Sequence, residues 1–356
     1  MKKIDKILLI SVIILSLFGL LMIYSSSSIW ATYKYNDPYK YFKSQAIFLI
    51  LGYFIIFITS KVDYHLYKKY SNHILIISII LLILVLIPGI GTIRNGSRSW
   101  FGIGSFGIQP SEFAKLGLII FTSKYLTRNK IKDIKSSVLP ILLIVLLIFG
   151  LIMLQPDFGT GVIIVITIVA LLFVSGVNMS FFIKIGLLGL IGVVILVIIA
   201  PYRLERITSF LNPWKDPLGS GFQIIQSMYA IGPGGLLGMG LGNSIQKHFY
   251  LPEPQTDFIF SIISEELGFA GILIVTTLFI TIIYRSITIS IKQEDNFAKY
   301  LSFGITFSLA FQTLLNLMVV VGLIPVTGVT LPFLSYGGSS LLISLLSIGI
   351  VLNISK

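Results

Sequence analysis

Cysteine is absent from the sequence, and histidine occurs only at His65, His73 and His248. A chain without cysteine can form neither disulfide bonds nor a catalytic thiol. Because the three histidines are far apart, there is no HExxH zinc motif and no partner for a serine–histidine triad, and a GxSxG nucleophile motif is also missing. Thiol enzymes, zinc hydrolases and triad hydrolases are therefore excluded.

Charged residues are also scarce, at 11% of the 356 residues, whereas hydrophobic residues make up 55%. A soluble domain of this length would carry far more charge. Apolar runs that could cross the hydrocarbon core of a bilayer, which takes about 20 residues in a helix, recur along the whole chain. The sequence therefore predicts an all-α polytopic integral membrane protein. A β-barrel would instead show short segments of alternating hydrophobicity.

About ten transmembrane helices are predicted. Their ranges are 7–29, 44–60, 74–90, 111–127, 138–155, 159–175, 181–200, 266–284, 300–321 and 336–354. The basic N-terminus resembles a signal peptide, but its apolar run is too long for one, so we interpret it as a retained first span. We expect a single domain, 1–356, with one large extracytoplasmic loop, 201–265, between spans seven and eight.

Basic residues outnumber acidic ones by 26 to 14, which gives a formal net charge of +12. Nucleic-acid binding could explain this excess, but Lys and Arg also collect in the cytoplasmic loops of membrane proteins. With the N-terminus inside, 16 basic residues lie on the cytoplasmic side and 10 on the other. We therefore expect no nucleic-acid partner, two cytoplasmic termini and an extracytoplasmic 201–265 loop.

Four carboxylates lie between Glu253 and Glu266, where the large loop re-enters the membrane. Asp257 precedes an apolar run, which predicts partial desolvation and the raised pKa that suits a general base. A helix N-cap is an equally good interpretation of its position. Glu265 lies about two helical turns further on, near the same face, whereas Glu266 points elsewhere and suits packing or a salt bridge.

A second polar cluster extends from Arg94 to Lys115. Arg94, Arg98 and Lys115 could bind a phosphate group. Glu112 and Lys115 are three residues apart at the start of the fourth helix, so they can form an ion pair on one face. For Lys115, ion pairing and substrate binding are both open.

Three further segments are rich in turn-forming residues. Asp157 lies in the tight turn between spans five and six, as a site residue or as a turn cap. The interval 325–340 interrupts the membrane helices, and irregular backbone at that depth lines a polar cleft or forms a plain tight loop. The glycine-rich interval 232–242 could cradle a phosphate, but without a preceding strand or a GK[ST] motif close backbone packing is the favoured interpretation.

Together these clusters resemble the SEDS family (shape, elongation, division and sporulation proteins). The matching stretches, in family order, are RNGSRSW (94–100), QPSEFAK (109–115), LQPDFGT (154–160), FLNPW (210–214), GFQIIQS (221–227), LPEPQTDFIF (251–260) and LPFLSYGGSS (331–340). The long Pro-Glu-Pro-Gln-Thr-Asp form of the catalytic motif is more similar to the FtsW and SpoVE branch of division and sporulation proteins than to the RodA elongation branch.

The resemblance implies a multi-pass enzyme of the bacterial plasma membrane, a peptidoglycan glycosyltransferase that polymerises lipid II during division or sporulation. It implies a class B penicillin-binding protein (a transpeptidase) as partner, alongside other division or sporulation membrane proteins. In the family the acid of the Thr-Asp-Phe motif, here Asp257, is catalytically essential. A lipid II flippase and a structural scaffold are the alternative functions.

Lipid II carries an α-linked pyrophosphate and the glycan product is β-linked, so one displacement with inversion fits the reaction. Asp257 would act as general base, and cationic side chains would neutralise the departing pyrophosphate. The cationic candidates are Arg98, Lys115 and Lys247, then Arg94, Arg203 and Arg206. The other candidates for substrate contacts are Gln109, Glu112, Asp157, Glu265 and Ser335. A divalent cation, Mg²⁺ or Mn²⁺, could bridge acid and phosphate, although no metal-ligand spacing in the sequence demands one.

Overall fold

The computed structural model describes residues 4–94, 96–103, 106–128, 138–199 and 201–356. Within these ranges the chain is mostly helical. The helices are α1 (Lys6–Tyr35), α2 (Lys40–Thr59), α3 (His65–Leu86), α4 (Pro110–Arg128), α5 (Leu139–Met153), α6 (Phe158–Val174), α7 (Met179–Ile199), α8 (Pro201–Leu211), α9 (Phe222–Ile231), α10 (Ile259–Ile291), α11 (Asn296–Val320) and α12 (Gly338–Ile354).

By length and composition, five described helices are long and apolar enough to cross a membrane: α1, α2, α3, α10 and α11. Shorter apolar helices are α5, α6, α12 and the part of α7 from Met179 to Ile195. These helices confirm the prediction of a helical, polytopic membrane protein. Their buried apolar side chains, with Phe258 and Phe297 among the largest, form a core cluster shared by most of the long helices.

Several helices begin earlier than the hydropathy predicts. The clearest case is α10, which begins at Ile259 rather than at 266, so the loop expected to end at 265 is shorter. Glu265 and Glu266 consequently lie inside the helix, and both are buried. Hydropathy marks only the apolar part of a helix, and it misses turns whose polar side chains are paired within the protein. The rest of the predicted loop also contains two helices, α8 and α9.

Helix α10 is interrupted at Gly268, whose φ of 61° and ψ of −154° are not helical. The glycine segment, residues 232–242, packs into this break and takes over the backbone hydrogen bonds that the helix loses. From the segment, the N–H groups of Met239 and Gly240 donate to the carbonyls of Glu265 and Glu266, at 2.9 Å each. From the helix, the N–H groups of Phe269 and Ala270 donate to the carbonyls of Gly235 and Leu236, at 2.9 Å and 3.0 Å. The packing interpretation of the glycine-rich interval is confirmed.

A small antiparallel sheet, absent from the all-α prediction, lies between α3 and α4. Its strands are β1 (Thr92–Arg94), β2 (Ser97–Ile103) and β3 (Phe106–Ile108), in the order β1-β2-β3. The sequence signal was the Asn95-Gly96 dipeptide, a pair that favours tight hairpin turns. The strands are too short for a clear alternation of polar and apolar residues, so the prediction of helices alone was wrong here.

Polar residues from distant parts of the chain meet at one end of the helices. Arg285 Nη2 contacts Asp5 Oδ2 at 2.5 Å, and the backbone N–H of Asp5 donates to Ser355 Oγ at 3.2 Å. Lys356 Nζ donates to the carbonyl of Ser60 at 2.7 Å. The N-terminal end of α1 and the C-terminal end of α12 therefore lie on the same side of the helices. The small sheet and the interval that contains Asp257 lie at the opposite end.

Candidate active site

Asp257 lies immediately before α10 and does not cap it. The helix begins at Ile259, its N-cap residue is Phe258, and among the described residues no side-chain hydrogen bond caps it. Asp257 Oδ1 instead accepts a hydrogen bond from Thr256 Oγ1 at 2.9 Å. The helix-cap interpretation was therefore wrong, and the carboxylate of Asp257 is kept out of the helix backbone.

The surroundings of Asp257 favour its protonated form. Burial raises the pKa of Asp257, and the negative charge of Glu253 adds to the rise, while the Thr256 hydrogen bond and the positive charge of Arg206 act in the other direction. Glu253 has a left-handed backbone, with φ at 44°, and its carbonyl accepts from Thr256 Oγ1 at 2.7 Å. The predicted desolvation of Asp257 is thus present, and its carboxylate is a stronger base than an exposed one.

Two polar side chains on α11 hold the site together. Asn316 Nδ2 donates to the carbonyl of Asp257 at 2.7 Å and to that of Val329 at 2.8 Å. One turn earlier, Gln312 Oε1 accepts from Lys115 Nζ at 2.7 Å, and Gln312 Nε2 donates to the carbonyl of Thr330 at 3.0 Å. Because residues four apart share one helix face, α11 positions Lys115 and the Asp257 backbone on the same side.

Lys115 is also paired with Glu112, as their spacing predicts. Lys115 Nζ lies 2.8 Å from Glu112 Oε2, and both side chains are buried. Lys115 thus contacts both a carboxylate and the amide of Gln312. The ammonium group is thus held near the segment that precedes α12, and Glu112 compensates its charge.

Asp157 joins two of the sequence motifs. It is the N-cap of α6 and accepts from the N–H of Thr160 at 3.2 Å, which confirms its role as a turn cap. Its other oxygen accepts from Gln109 Nε2 at 2.9 Å and from Ser111 Oγ at 3.4 Å. Burial raises the pKa of Asp157, and the charge of nearby Glu112 adds to the rise. The 109–115 and 154–160 motifs therefore form one polar cluster.

The irregular segment between α11 and α12 lines this polar region. Its backbone N–H at Tyr336 donates to the carbonyl of Gln255, two residues before Asp257, at 2.8 Å. Ser335 is buried, and its hydroxyl accepts from the N–H of Leu331 at 2.8 Å. In the first turn of α12, Ser339 Oγ accepts from the N–H of Gln109 at 3.2 Å. The segment and the start of α12 thus connect the Asp257 interval with the Asp157 cluster, although Ser335 itself is used in an internal hydrogen bond.

The two arginines of the small sheet have different surroundings. Arg94 stacks on Trp100, with its guanidinium carbon 4.9 Å from the ring centroid. Arg98 has a buried Nη1 that finds no hydrogen-bond partner among the described residues. The sheet is attached to the turn between α5 and α6 by a hydrogen bond from Ser97 Oγ to the carbonyl of Gln155. Among the cationic candidates, Arg98 therefore has the clearest unused donor.

The charged groups of Lys247 and Glu265 form contacts with residues other than Asp257. Lys247 Nζ lies 2.9 Å from Glu266 Oε1 in a buried ion pair, and Ser25 Oγ of α1 donates to both oxygens of Glu266 at 2.7 Å. Glu265 accepts from Ser244 Oγ at 2.5 Å and from the N–H of Ile245 at 2.9 Å. Glu266 is thus the salt-bridge residue that its position predicts, and Lys247 is already neutralised.

The remaining cationic candidates lie near the start of the large loop. Arg206 Nη1 donates to the carbonyl of Val326 at 3.0 Å, and its charge reaches Asp257. The side chain of Arg203 falls outside the described part of the structure. Across the described ranges, no group of three or more His, Asp or Glu side chains could hold a metal ion by itself.

The sequence matches a known protein family over nearly its whole length. The family model FtsW/RodA/SpoVE, described as "Cell cycle protein", matches residues 5–356. The chain belongs to the FtsW/RodA/SpoVE family. This confirms the resemblance drawn from the seven motifs.

Two curated relatives illustrate where the chain lies within the FtsW/RodA/SpoVE family. "Stage V sporulation protein E" of Bacillus subtilis (strain 168) is 51% identical over 354 residues, which is 99% of this chain and 97% of that protein. "Probable peptidoglycan glycosyltransferase FtsW" of Geobacter sp. (strain M18) is 41% identical over 353 residues, 99% of this chain and 96% of that protein.

Two solved structures share the fold of this FtsW/RodA/SpoVE chain. One is described as "Structural coordination of polymerization and crosslinking by a peptidoglycan synthase complex", with a TM-score of 0.81 and 32% identity, covering 99% of this chain and 97% of that one. The other is Rod shape determining protein RodA of Thermus thermophilus, with a TM-score of 0.74 and 28% identity, covering 99% and 96%.

Sequence reasoning missed Gln312 and Asn316. Both are buried amides in an otherwise apolar helix of this FtsW/RodA/SpoVE protein. Polar residues are costly inside a membrane helix and usually face the protein interior or a cavity, so their presence four residues apart was a usable signal. Neither residue titrates, so reasoning that starts from carboxylates and cations passes over them.

Proposed function

We propose that this chain is a peptidoglycan glycosyltransferase that polymerises lipid II into glycan strands during division or sporulation. The observation that carries the proposal is Asp257, a partly buried carboxyl with a raised pKa that is not used as a helix cap. The printed names of its relatives and the peptidoglycan synthase complex among its structural neighbours support the same activity.

The proposed topology has ten transmembrane helices, both termini in the cytoplasm and the active site on the outer face of the plasma membrane. The ten helices are α1 to α7 and α10 to α12. Contacts of Arg285 and Asp5 keep the basic N-terminal region and the α10–α11 turn at one end. The bias of basic residues toward that end supports its assignment to the cytoplasm.

In the proposed reaction Asp257 is the general base. Its carboxylate takes the proton from the 4-hydroxyl of the acceptor sugar as that oxygen attacks the anomeric carbon of the donor from the face opposite the pyrophosphate. The bond to the pyrophosphate oxygen breaks, and the new linkage is β. The raised pKa of Asp257 increases its strength as a proton acceptor in its ionised form.

Cationic side chains would stabilise the departing pyrophosphate. Arg98 is the first candidate, because its buried Nη1 lacks a partner among the described residues. Arg206 supplies positive charge that reaches Asp257, and Lys115, whose charge Glu112 compensates, donates to Gln312 beside the Asp257 interval. We assign a different role to Lys247 and Glu265. These two residues hold the loop before Asp257 on α10, because their charged groups are used in buried contacts.

A divalent cation, Mg²⁺ or Mn²⁺, is part of the proposal, and carboxylates of the Asp257 interval would hold it. Mg²⁺ is commonly held by one or two carboxylates together with substrate phosphates, and Asp257 with Glu253 can supply that number. When bound, such an ion would neutralise charge on the pyrophosphate. Glycan synthesis should then stop on addition of EDTA and return with Mg²⁺ or Mn²⁺.

We also propose a class B penicillin-binding protein as the partner that cross-links the new strands. The support is the neighbouring synthase complex, whose description names both polymerization and crosslinking. Other membrane proteins of division or sporulation would assemble with the pair.

The direct test uses purified protein in detergent with lipid II and the partner transpeptidase. The wild type should form glycan polymer, and Asp257→Asn should form none while keeping the same thermal midpoint. Asp216→Asn is the matched control, since Asp216 is an exposed loop carboxylate whose contacts are to Ser220. Polymer from Asp257→Asn at the wild-type rate would contradict the assignment.

Transport of lipid II is the competing function, and it is not favoured. A flippase moves its substrate between two leaflets, so it makes no product in detergent micelles. It also gives no reason to keep a carboxylate of raised pKa at the end of the large loop. A scaffold would likewise leave Asp257 without a function.

A further inference from the structure

A row of aromatic side chains, in two groups that the side chain of Lys34 joins, is attached to the interval before Asp257. We call it the aromatic ladder, and none of its members is a candidate in the proposed chemistry. Its members are Phe249, Trp30, Tyr33, Tyr35, Tyr41 and Tyr336.

The first part of the ladder joins the end of α1 to the loop before Asp257. The ring of Phe249 lies 5.5 Å from Trp30 and 5.3 Å from Tyr33, centroid to centroid, and Trp30 lies 6.2 Å from Tyr33. Tyr33 is 77% exposed and Phe249 48% exposed. Phe249 has φ at 68°, a left-handed conformation that a bulky residue rarely adopts outside functional sites.

The second part of the ladder is attached to the chain at Gln255, two residues before Asp257. Tyr35 meets Tyr41 edge-on at 6.0 Å, and Tyr41 meets Tyr336 at 4.9 Å. The backbone N–H of Tyr336 is hydrogen-bonded to Gln255, two residues before Asp257. The first group of the ladder thus contains Phe249, and the second ends at Tyr336, which is bonded to Gln255, so each group is attached to the chain between residues 249 and 257.

Lysine side chains connect and flank the rings. Lys34 Nζ lies 5.9 Å from the Trp30 centroid and 5.6 Å from that of Tyr35, which bridges the two parts of the ladder. Lys40 Nζ lies 5.8 Å from the centroid of the Tyr35 ring. Within the described ranges Lys34 forms no salt bridge with a carboxylate. Its charge is thus held against ring faces and is open to an anionic group.

We propose that the aromatic ladder binds the growing glycan strand next to the reaction centre. This proposal rests on the proposed polymerase function and names a binding surface for its acceptor or product. Sugar rings present apolar C–H faces that pack on the electron-rich faces of aromatic rings. The peptide branches of the strand carry carboxylates, which suit Lys34 and Lys40.

The position of the ladder favours a strand over lipid headgroups, although tyrosine, tryptophan and lysine are also common at membrane surfaces. A membrane anchor requires no attachment to the catalytic interval. Here each group of rings is attached to the interval before Asp257, one through Phe249 and the other through the bond from Tyr336 to Gln255, and Lys34 joins the two groups.

The test measures binding of soluble, lipid-free peptidoglycan oligosaccharides that retain their peptide branches, using the full-length protein in detergent. Tyr33→Ala keeps the helix and removes the most exposed ring, and it should weaken binding about fivefold to tenfold. Lys34→Gln should weaken binding of these fragments more than binding of fragments stripped of peptides. In the polymerisation assay both variants should yield shorter strands.

Trp214→Ala is the matched control, since Trp214 is an exposed aromatic residue of the large loop outside the ladder. It should change neither oligosaccharide binding nor strand length. Unchanged binding and strand length in Tyr33→Ala would overturn the proposal. So would a change confined to thermal stability in anionic-lipid nanodiscs, which would identify the ladder as a membrane-surface anchor.

The binding measurement requires no turnover, so the two proposals fail separately. A wild type that makes no polymer would contradict the polymerase function. A wild type that makes polymer, with Tyr33→Ala indistinguishable from it, would contradict only the ladder.

Discussion

Asp257 shows how a single residue can be prepared for proton transfer by its neighbours. An exposed aspartate, with a pKa near about 3.9, is a weak base. Burial and the charge of Glu253 raise the pKa of Asp257, so its carboxylate holds a proton more tightly once it has accepted one. This adjustment has a direct consequence for the pH dependence of the reaction.

We expect the acid limb of the pH–rate profile to lie above the ordinary aspartate range. The base works only when ionised, so lowering the pH through the raised pKa of Asp257 stops the reaction by protonating it. The measurement is the initial rate of glycan synthesis from about one pH unit below the ordinary aspartate pKa of about 3.9 up to neutral pH, with Asp216→Asn as control, since hydrogen bonds from Ser220 lower the pKa of Asp216. A limb at or below about pH 3.9 would remove Asp257 from the role of base.

The Lys247–Glu266 pair yields a prediction about stability rather than chemistry. Both side chains are buried, so Lys247→Met leaves an uncompensated charge on Glu266 and should destabilise the protein by about 3–5 kcal/mol. The double variant Lys247→Met, Glu266→Leu should recover most of this loss, because no charge is left buried. The measurement is chemical or thermal unfolding in detergent. A double variant that is less stable than Lys247→Met would contradict the explanation that the loss comes from an uncompensated buried charge on Glu266.

For individual residues, the sequence predicts the contacts and surroundings that depend on local spacing along the chain. It predicts the Glu112–Lys115 pair, the cap formed by Asp157 and the desolvation of Asp257. It does not predict that Lys247 pairs with Glu266, nor that Asn316 holds the Asp257 backbone. Such contacts join residues far apart in the chain, and the folded structure selects one partner from several that are chemically equivalent.

Helix α10 is the element on which the site is built. Its interruption at Gly268 separates a short first segment, which carries Glu265 and Glu266, from the long apolar remainder. The glycine segment fills the interruption with backbone groups. Apolar periodicity alone cannot reveal such a break, because both segments carry apolar side chains at helical spacing.

Gly268→Ala should therefore damage the site without touching Asp257. The φ of 61° disfavours any side chain, and an added Cβ would lie 2.6 Å from the carbonyl oxygen of Gly234. We expect a lower thermal midpoint and a large loss of glycan synthesis. Gly189→Ala, in α7, is the control, because its Cβ would meet nothing within 4 Å. If Gly268→Ala matches the control in both measurements, the break is not needed.

For the molecule as a whole, the absence of cysteine makes the proposed topology directly measurable. Single cysteines can be introduced without background labelling by a membrane-impermeant maleimide. Leu218→Cys, at an 88% exposed position of the large loop, should be labelled in intact cells. Lys292→Cys, at the exposed end of α10, should be labelled only after the membrane is permeabilised. The reverse pattern would invert the orientation and place Asp257 in the cytoplasm.

The composition of the whole chain predicts its fold class more reliably than its smaller secondary-structure elements. Long apolar runs and few charges are sufficient to indicate a polytopic helical membrane protein. They do not reveal the small sheet after α3, whose strands are three to seven residues long. Nor do they reveal α8 in the large loop, because an amphipathic surface helix lacks a long apolar run, whereas the helical spacing of apolar residues from Phe222 to Ile231 does predict α9.

The backbone exchange between α10 and the glycine segment also has a consequence for hydrogen exchange. Loops between membrane helices usually exchange their amide hydrogens quickly, because their N–H groups face water. Here the N–H groups of Met239 and Gly240 are bonded to carbonyls of α10, beside buried Glu265 and Glu266. In deuterated buffer these two amides should exchange as slowly as a helix interior, and a glycine-rich interval would form the most protected part of the large loop.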